Sequence, residues 1–165
     1  MDDTIKMEYN KTNIIFSFKT MQIYCRLIDG NYPNYNAVIP NENPNKLNIN
    51  RKKILDSLKR ISIFSNQSTH QIKVKINGNE ITLSGEDIDF SNKALEKIQC
   101  EYSGEDMEIG FNAKFLIEVL KTLESEKIYF HFSSPSKAAI IVPDEDVKEL
   151  EKIIMLVMPV MLNQH

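Results

Sequence analysis

Tryptophan is absent from this chain, and aromatic residues of all kinds make up only 8% of it. The interior must therefore be aliphatic, built from Ile, Leu, Val and Met. Glycine is scarce, at five residues, and none lies in a phosphate-cradling loop. The three histidines are scattered, and the two cysteines, Cys25 and Cys100, lack metal-ligand spacing. There is no CxxC, HExxH or GxSxG pattern, so no catalytic residue and no metal or cofactor site is expected. No apolar run approaches the roughly 18 residues of a membrane span. The opening residues, MDDTIKMEYN, are acidic and polar and do not read as a signal peptide. A cytoplasmic protein with reduced, buried thiols is expected, and the sequons at Asn10 and Asn66 carry no weight. Basic excess is lacking too: the net charge is −3. That argues against a domain that grips DNA phosphates tightly, and leaves room for one that surrounds DNA and touches it with one basic face.

What is present is a chain of 165 residues, 42% hydrophobic and 26% charged. That is enough for one domain and a piece of a second. Period-two alternation predicts three strands early on, at Ile5-Met7-Tyr9, Ile14-Phe16-Phe18 and Ile23-Cys25-Leu27. They have no helix of their own, as at the end of a truncated domain. Residues 29–48, rich in Asn and punctuated by Pro33, Pro40 and Pro44, read as a linker.

A helix is predicted from an N-cap at Asn50 to about Phe64. Ile54, Leu55, Leu58 and Ile61 form its apolar stripe. Ile63 and Phe64 fall off that stripe. Arg51, Lys52, Lys53, Lys59 and Arg60 crowd the other side, opposed only by Asp56. A hairpin follows, with Ile72-Val74-Ile76 and Ile81-Leu83 around Asn77-Gly78, the pair expected to supply positive φ. Residues 92–102 fit either a helix or a strand. Met107 and Ile109 mark another strand. A second helix opens at Asn112, with Phe115, Leu116, Val119, Leu120 and Leu123 as its expected buried face. Strands then read at Ile128–Phe132, Ala138–Val142 and Ile153–Met161. An acidic loop or short helix covers residues 143–152. The pattern is α+β: two helices packed on antiparallel sheets. His131 reads as a sheet-surface histidine, and Asp144-Glu145-Asp146 and Glu105-Asp106 as solvated acidic turns.

Three segments carry a resemblance. LIDGNYPNYNAVIP (residues 27–40), SGEDMEIGFNAKFLIEVLKTL (103–123) and MLVMPVML (155–162) resemble, in order and spacing, the linker, the last-domain segment and the C-terminal strand of the bacterial DNA polymerase III beta subunits, the sliding clamps. The resemblance implies the DNA clamp fold. Residues 1–40 would be the final strands of the middle clamp domain plus linker, and residues 41–165 the third clamp domain. Met1 would then not be the natural start. It implies a non-catalytic accessory subunit of the polymerase holoenzyme, a homodimeric ring around double-stranded DNA. Partners implied are the replicative polymerase alpha subunit, the clamp loader and other proteins with a clamp-binding motif, and no membrane.

Residue by residue, the implied peptide groove uses Pro33, Val38, Asn112, Phe115, Ser136, Ala138, Leu156, Val157, Met158, Pro159, Val160 and Met161. Arg51, Lys52, Lys53, Lys59 and Arg60 would face DNA, and Ile63 with Phe64 would meet the next subunit. Ala37, Phe115 and Met161 replace more polar residues of the family, making the groove more apolar. Two other readings stand beside this one: a generic α+β peptide-binding scaffold, and an enzyme domain whose catalytic half is missing. The size of the parent chain separates them.

Overall fold

The computed structural model describes residues 4–40, 42–144 and 152–162. The chain divides into two compact units, Met1–Tyr35 and Asn36–His165. The first is an antiparallel meander of β1 (Lys6–Tyr9), β2 (Asn13–Phe18) and β3 (Met21–Arg26). Its first turn is shaped by Asn10, whose side-chain oxygen accepts from the backbone N–H of Thr12 and Asn13 at 2.9 and 2.8 Å. Met7, Phe16 and Ile23 lie side by side across the sheet. Met7 and Ile23 remain half-exposed, as in a sheet with no helix to cover it.

The second unit holds β4 (Asn45–Asn50), α1 (Arg51–Ser62), β5 (Gln71–Asn77), β6 (Glu80–Asp87), β7 (Asn92–Gln99), β8 (Glu101–Ser103), β9 (Met107–Asn112), α2 (Ala113–Thr122), β10 (Lys127–Phe132), β11 (Ala139–Pro143) and β12 (Met155–Val157). Two antiparallel sheets run β12-β11-β10-β4-β8 and β7-β6-β5-β9. One aliphatic core joins them to both helices, through Leu47, Ile54, Leu58, Ile72, Leu83, Leu116, Leu120 and Ile128 among others. This is the α+β architecture the sequence predicts.

Four local expectations change, and one left open is decided. The linker stops early: β4 begins at Asn45 because Leu47 and Ile49 alternate into the core at 1% and 3% exposure. Residues 92–102, which fit either helix or strand by pattern, fall in β7 and β8, strands of different sheets separated by Cys100. Leu95, which a helix would have buried, stands out in solvent while Ile98 is buried. The hairpin turn centres on Gly78 and Asn79, since Asn77 pairs with Glu80. Only Gly78 takes a positive φ, 54°, the pattern of a turn with glycine at its first central position. The last strand shrinks to Met155–Val157, and Pro159, with no N–H to give, is followed by a single bridge from Val160 to Gly110. Both thiols are free and half-buried, not buried; burial, then Glu80 and Glu101, push Cys100 up to about 11. Residues 145–151 of the expected acidic loop, Glu145 and Asp146 included, lie outside the described residues.

Candidate functional site: a helix face and a C-terminal edge

Asn50 caps α1 by accepting from Lys53 N–H at 3.0 Å, which starts the helix where the core stripe requires it. Ile54, Leu55, Leu58 and Ile61 then point inward. The outward side carries the five expected cations, but they are not equivalent. Arg51 is turned back onto the fold. Its guanidinium donates to the Ser125 carbonyl at 2.7 Å and the Leu120 carbonyl at 3.1 Å. The Leu120 carbonyl belongs to the last turn of α2, where no intrahelical partner exists and a cation is favoured. Arg51 therefore joins the two helices, which pack against each other.

Arg60 donates through Nε and Nη2 to both oxygens of Glu96, at 2.7 Å each, and through Nη2 to Ser57 Oγ at 3.1 Å. Such a two-pronged contact holds the Glu96 carboxyl below its usual range, and Ser57 adds to the effect. Lys59 reaches Asp56 at 3.0 Å, lowering the Asp56 pKa. Lys52 and Lys53 are exposed, and neither has an ion-pair partner among the described residues. On α2, Lys114 and Lys121 are exposed as well; sequence reading missed both because it followed only the apolar stripe of that helix.

α2 begins at Asn112, whose side-chain oxygen accepts from Lys114 N–H at 2.9 Å while its amide donates to the Thr69 carbonyl at 3.1 Å. Ala113, Leu116, Leu120 and Leu123 occupy the core. Phe115, expected in that face, is instead 58% exposed, and Val119 is half-buried. Phe115 sits about 100° from Leu116 on the helix and so falls at the rim of the stripe.

The C-terminal segment joins the edges of the two sheets. Met155, Leu156 and Val157 pair with Ile141, Ile140 and Ala139 on one edge. Val160 N–H then donates to the Gly110 carbonyl on the other, at 2.9 Å. A Cβ on Gly110 would come within 2.5 Å of the Val160 carbonyl oxygen, so glycine is what permits this approach. Gln71 adds a hydrogen bond from its amide to the Met161 carbonyl at 3.4 Å.

The expected groove residues divide into kinds. Val38, Phe115, Ser136, Met158 and Met161 are exposed, and Leu156, Pro159 and Val160 half-buried. Ala138 and Val157 are core residues at 3% and 4% exposure, so they stand behind the surface instead of forming it. Pro33 belongs to the smaller unit. Val38 lines a cleft of about 560 Å³ with Ala37, Pro40 and Lys137. Ser136 and Met161 line a second, of about 1130 Å³, with Pro135 and Leu162. The turn at 135–137 thus contributes to both. Ile63 and Phe64, just past α1, are 70% and 37% exposed.

A family model for the DNA polymerase III beta subunit, C-terminal domain, matches residues 36–159. The beta sliding clamp of Rickettsia bellii is 34% identical over 168 residues, covering 96% of this chain and 43% of that protein. The one from Synechococcus elongatus is 29% identical over 163 residues, covering 98% and 42%. A DNA polymerase III beta subunit from Thermotoga maritima superposes with a TM-score of 0.85 at 28% identity, over 96% of this chain and 42% of that one. A Bartonella birtlesii sliding clamp solved bound to griselimycin gives 0.88 at 28% identity, over 96% and 41%. The chain spans less than half the length of these relatives.

Proposed function

The chain belongs to the DNA polymerase III beta-subunit family, whose C-terminal domain it carries, and on that premise we propose that it is part of a sliding clamp. Its role is non-catalytic: to complete a ring around duplex DNA, tether the replicative polymerase, and receive the clamp loader and other partners through an apolar peptide groove. The family match over residues 36–159 carries this reading.

Two surfaces support it. Lys52 and Lys53, with Lys59 beside them, offer exposed, flexible ammonium groups suited to brief, sequence-blind phosphate contact. Arg51, turned onto the Leu120 and Ser125 carbonyls, offers phosphate less than the lysines do, while Arg60 beside Glu96 and Lys59 beside Asp56 remain exposed at the same face. The exposed Val38, Phe115, Met158 and Met161 give adaptable walls for Leu and Phe anchors of a partner peptide. The Bartonella clamp's griselimycin complex supports a ligand-accepting surface in this family. Ile63 and Phe64 follow α1, whose last turn is held to β7 by the Arg60–Glu96 pair, and would meet the next subunit in the ring.

A peptide with a Gln-x-x-Leu-Phe motif titrated into this fragment should bind at micromolar strength, about −8 kcal/mol. Removing residues 158–165 should abolish that binding. Unchanged titration heats after the truncation would refute the groove.

A further inference from the structure

The loop between α1 and β5, residues 66–70, is folded around one side chain. Asn66 Oδ1 accepts from the backbone N–H groups of Ser68 and Thr69 at 3.0 and 3.1 Å. The Asn66 carbonyl accepts from His70 N–H at 2.8 Å. His70 is thereby held in the left-handed region, at φ 49°, where a residue with a Cβ stays only when its surroundings fix it. Asn66 is itself half-buried, and its amide reaches the Asp89 carboxylate at 3.5 Å.

The folded loop reaches two elements that carry proposed groove residues. The Thr69 carbonyl accepts from the Asn112 amide at 3.1 Å, and the His70 carbonyl accepts from Ala113 N–H at 2.8 Å. These bonds fix the entry of α2, and with it the exposed Phe115 in the first turn of that helix. On the other side, the Thr69 hydroxyl accepts from Gln71 N–H at 3.4 Å, and the Gln71 amide donates to the Met161 carbonyl at 3.4 Å. Asn66, Thr69 and Gln71 line the same cleft as Ser136 and Met161.

A peptide anchor is sensitive to where such walls stand. A wall displaced by roughly 0.5–1 Å forfeits about a quarter to a half of its contact energy. The Asn112 side chain is bonded at both ends, to Lys114 N–H through its oxygen and to Thr69 through its nitrogen. It loses the second bond when the loop opens. We infer that Asn66 is a positioning residue of the partner groove: by folding the 66–70 loop it sets the distance between the α2 wall, at Asn112 and Phe115, and the C-terminal wall, at Met161. This rests on the groove reading above and adds to it a residue that acts through Asn112.

The test titrates a Gln-x-x-Leu-Phe peptide into the full-length protein and its variants, beside a thermal melt of each. Asn66→Ala should raise the dissociation constant at least tenfold, and so should Asn112→Ala. The double variant should fall well short of the product of the two losses, because the second change removes a bond the first has already broken. Asn66→Asp with Asp89→Asn keeps the acceptor for Ser68 and Thr69 and exchanges the two ends of the remaining contact, and should bind within twofold of wild type. Asn66→Ala that lowers the melting temperature and leaves the dissociation constant unchanged overturns the inference, since the loop is then merely structural, and leaves the groove intact. Losses that multiply in the double variant also overturn it, as does an Asn112→Ala variant with full affinity. A wild-type protein that does not take the peptide removes the groove reading and this inference with it. Should Asn66→Ala fail to fold, Asn66→Gln, which keeps the amide and sets its oxygen one carbon further out, decides: weakened binding supports the inference and unchanged binding overturns it.

Discussion

Arginine and lysine on α1 have the same charge and different fates. The guanidinium's fixed fork lets Arg51 bridge two carbonyls and Arg60 grip both oxygens of one carboxylate, while Lys52 and Lys53 have no ion-pair partner among the described residues. Sequence alone made all five a single basic face, because each partner is remote in the chain: Glu96 for Arg60, Leu120 and Ser125 for Arg51. Their separation is measurable. Arg51→Ala should cost about 1–3 kcal/mol of stability by stranding two carbonyls, and Lys52→Ala less than about 0.5 kcal/mol. Arg60→Ala removes an exposed ion pair and should cost less than Arg51→Ala. The Glu96 carboxyl is held below its ordinary 4.5. A depressed carboxyl stabilises the fold above the unfolded value and loses that contribution as pH falls through the folded one. Urea unfolding should therefore show the Arg60→Ala deficit at pH 7 and a vanishing deficit well below pH 4.5. A deficit of equal size at both pH values would mean that Arg60 acts through packing alone.

Elements with strong period-two alternation were legible in the sequence. The first meander, the β5–β6 pair and both helices with their Asn caps stand where the residues place them. Where the sequence was weaker, the physical reason is specific. β4 has only Leu47 and Ile49 to announce it, set among asparagines, and gains its place from pairing with β10 and β8 on either side. β7 alternates Ala94, Glu96 and Ile98, and the middle position is a charge whose inward lean depends on Arg60. The C-terminal segment reads as one long strand because Pro159 is flanked by apolar residues. Its passage from one sheet edge to the other depends on Gly110, which no local pattern marks. Gly110→Val should push Val160 off β9, given the 2.5 Å approach. Peptide binding should drop at least tenfold while the core, which does not include this bridge, still unfolds cooperatively. Calorimetric titration beside a thermal melt checks both. Full peptide affinity in the valine variant would show that the Gly110–Val160 bridge does not shape the groove.

At the scale of the whole molecule, a net charge of −3 and a lysine face belong together if the protein holds DNA by enclosure instead of by attraction. The family was legible from three short segments. The division of the proposed groove residues into exposed and core positions was not, since burial depends on long-range packing. Lys52→Glu with Lys53→Glu in the full-length protein should shorten the products of a primer-extension assay without lowering the melting temperature, because both side chains are exposed and neither has an ion-pair partner among the described residues. Wild-type product length in that variant would remove α1 from the DNA-facing surface.

Enclosure itself has a direct measurement. Full-length protein is loaded onto a nicked circular duplex at moderate salt, and the amount retained is followed by gel filtration before and after the circle is cut once. The account predicts stable retention on the circle and rapid loss from the linear product, because a ring slides off a free end. Equal retention on circular and linear DNA would contradict it, since that is the behaviour of a protein bound by local contacts.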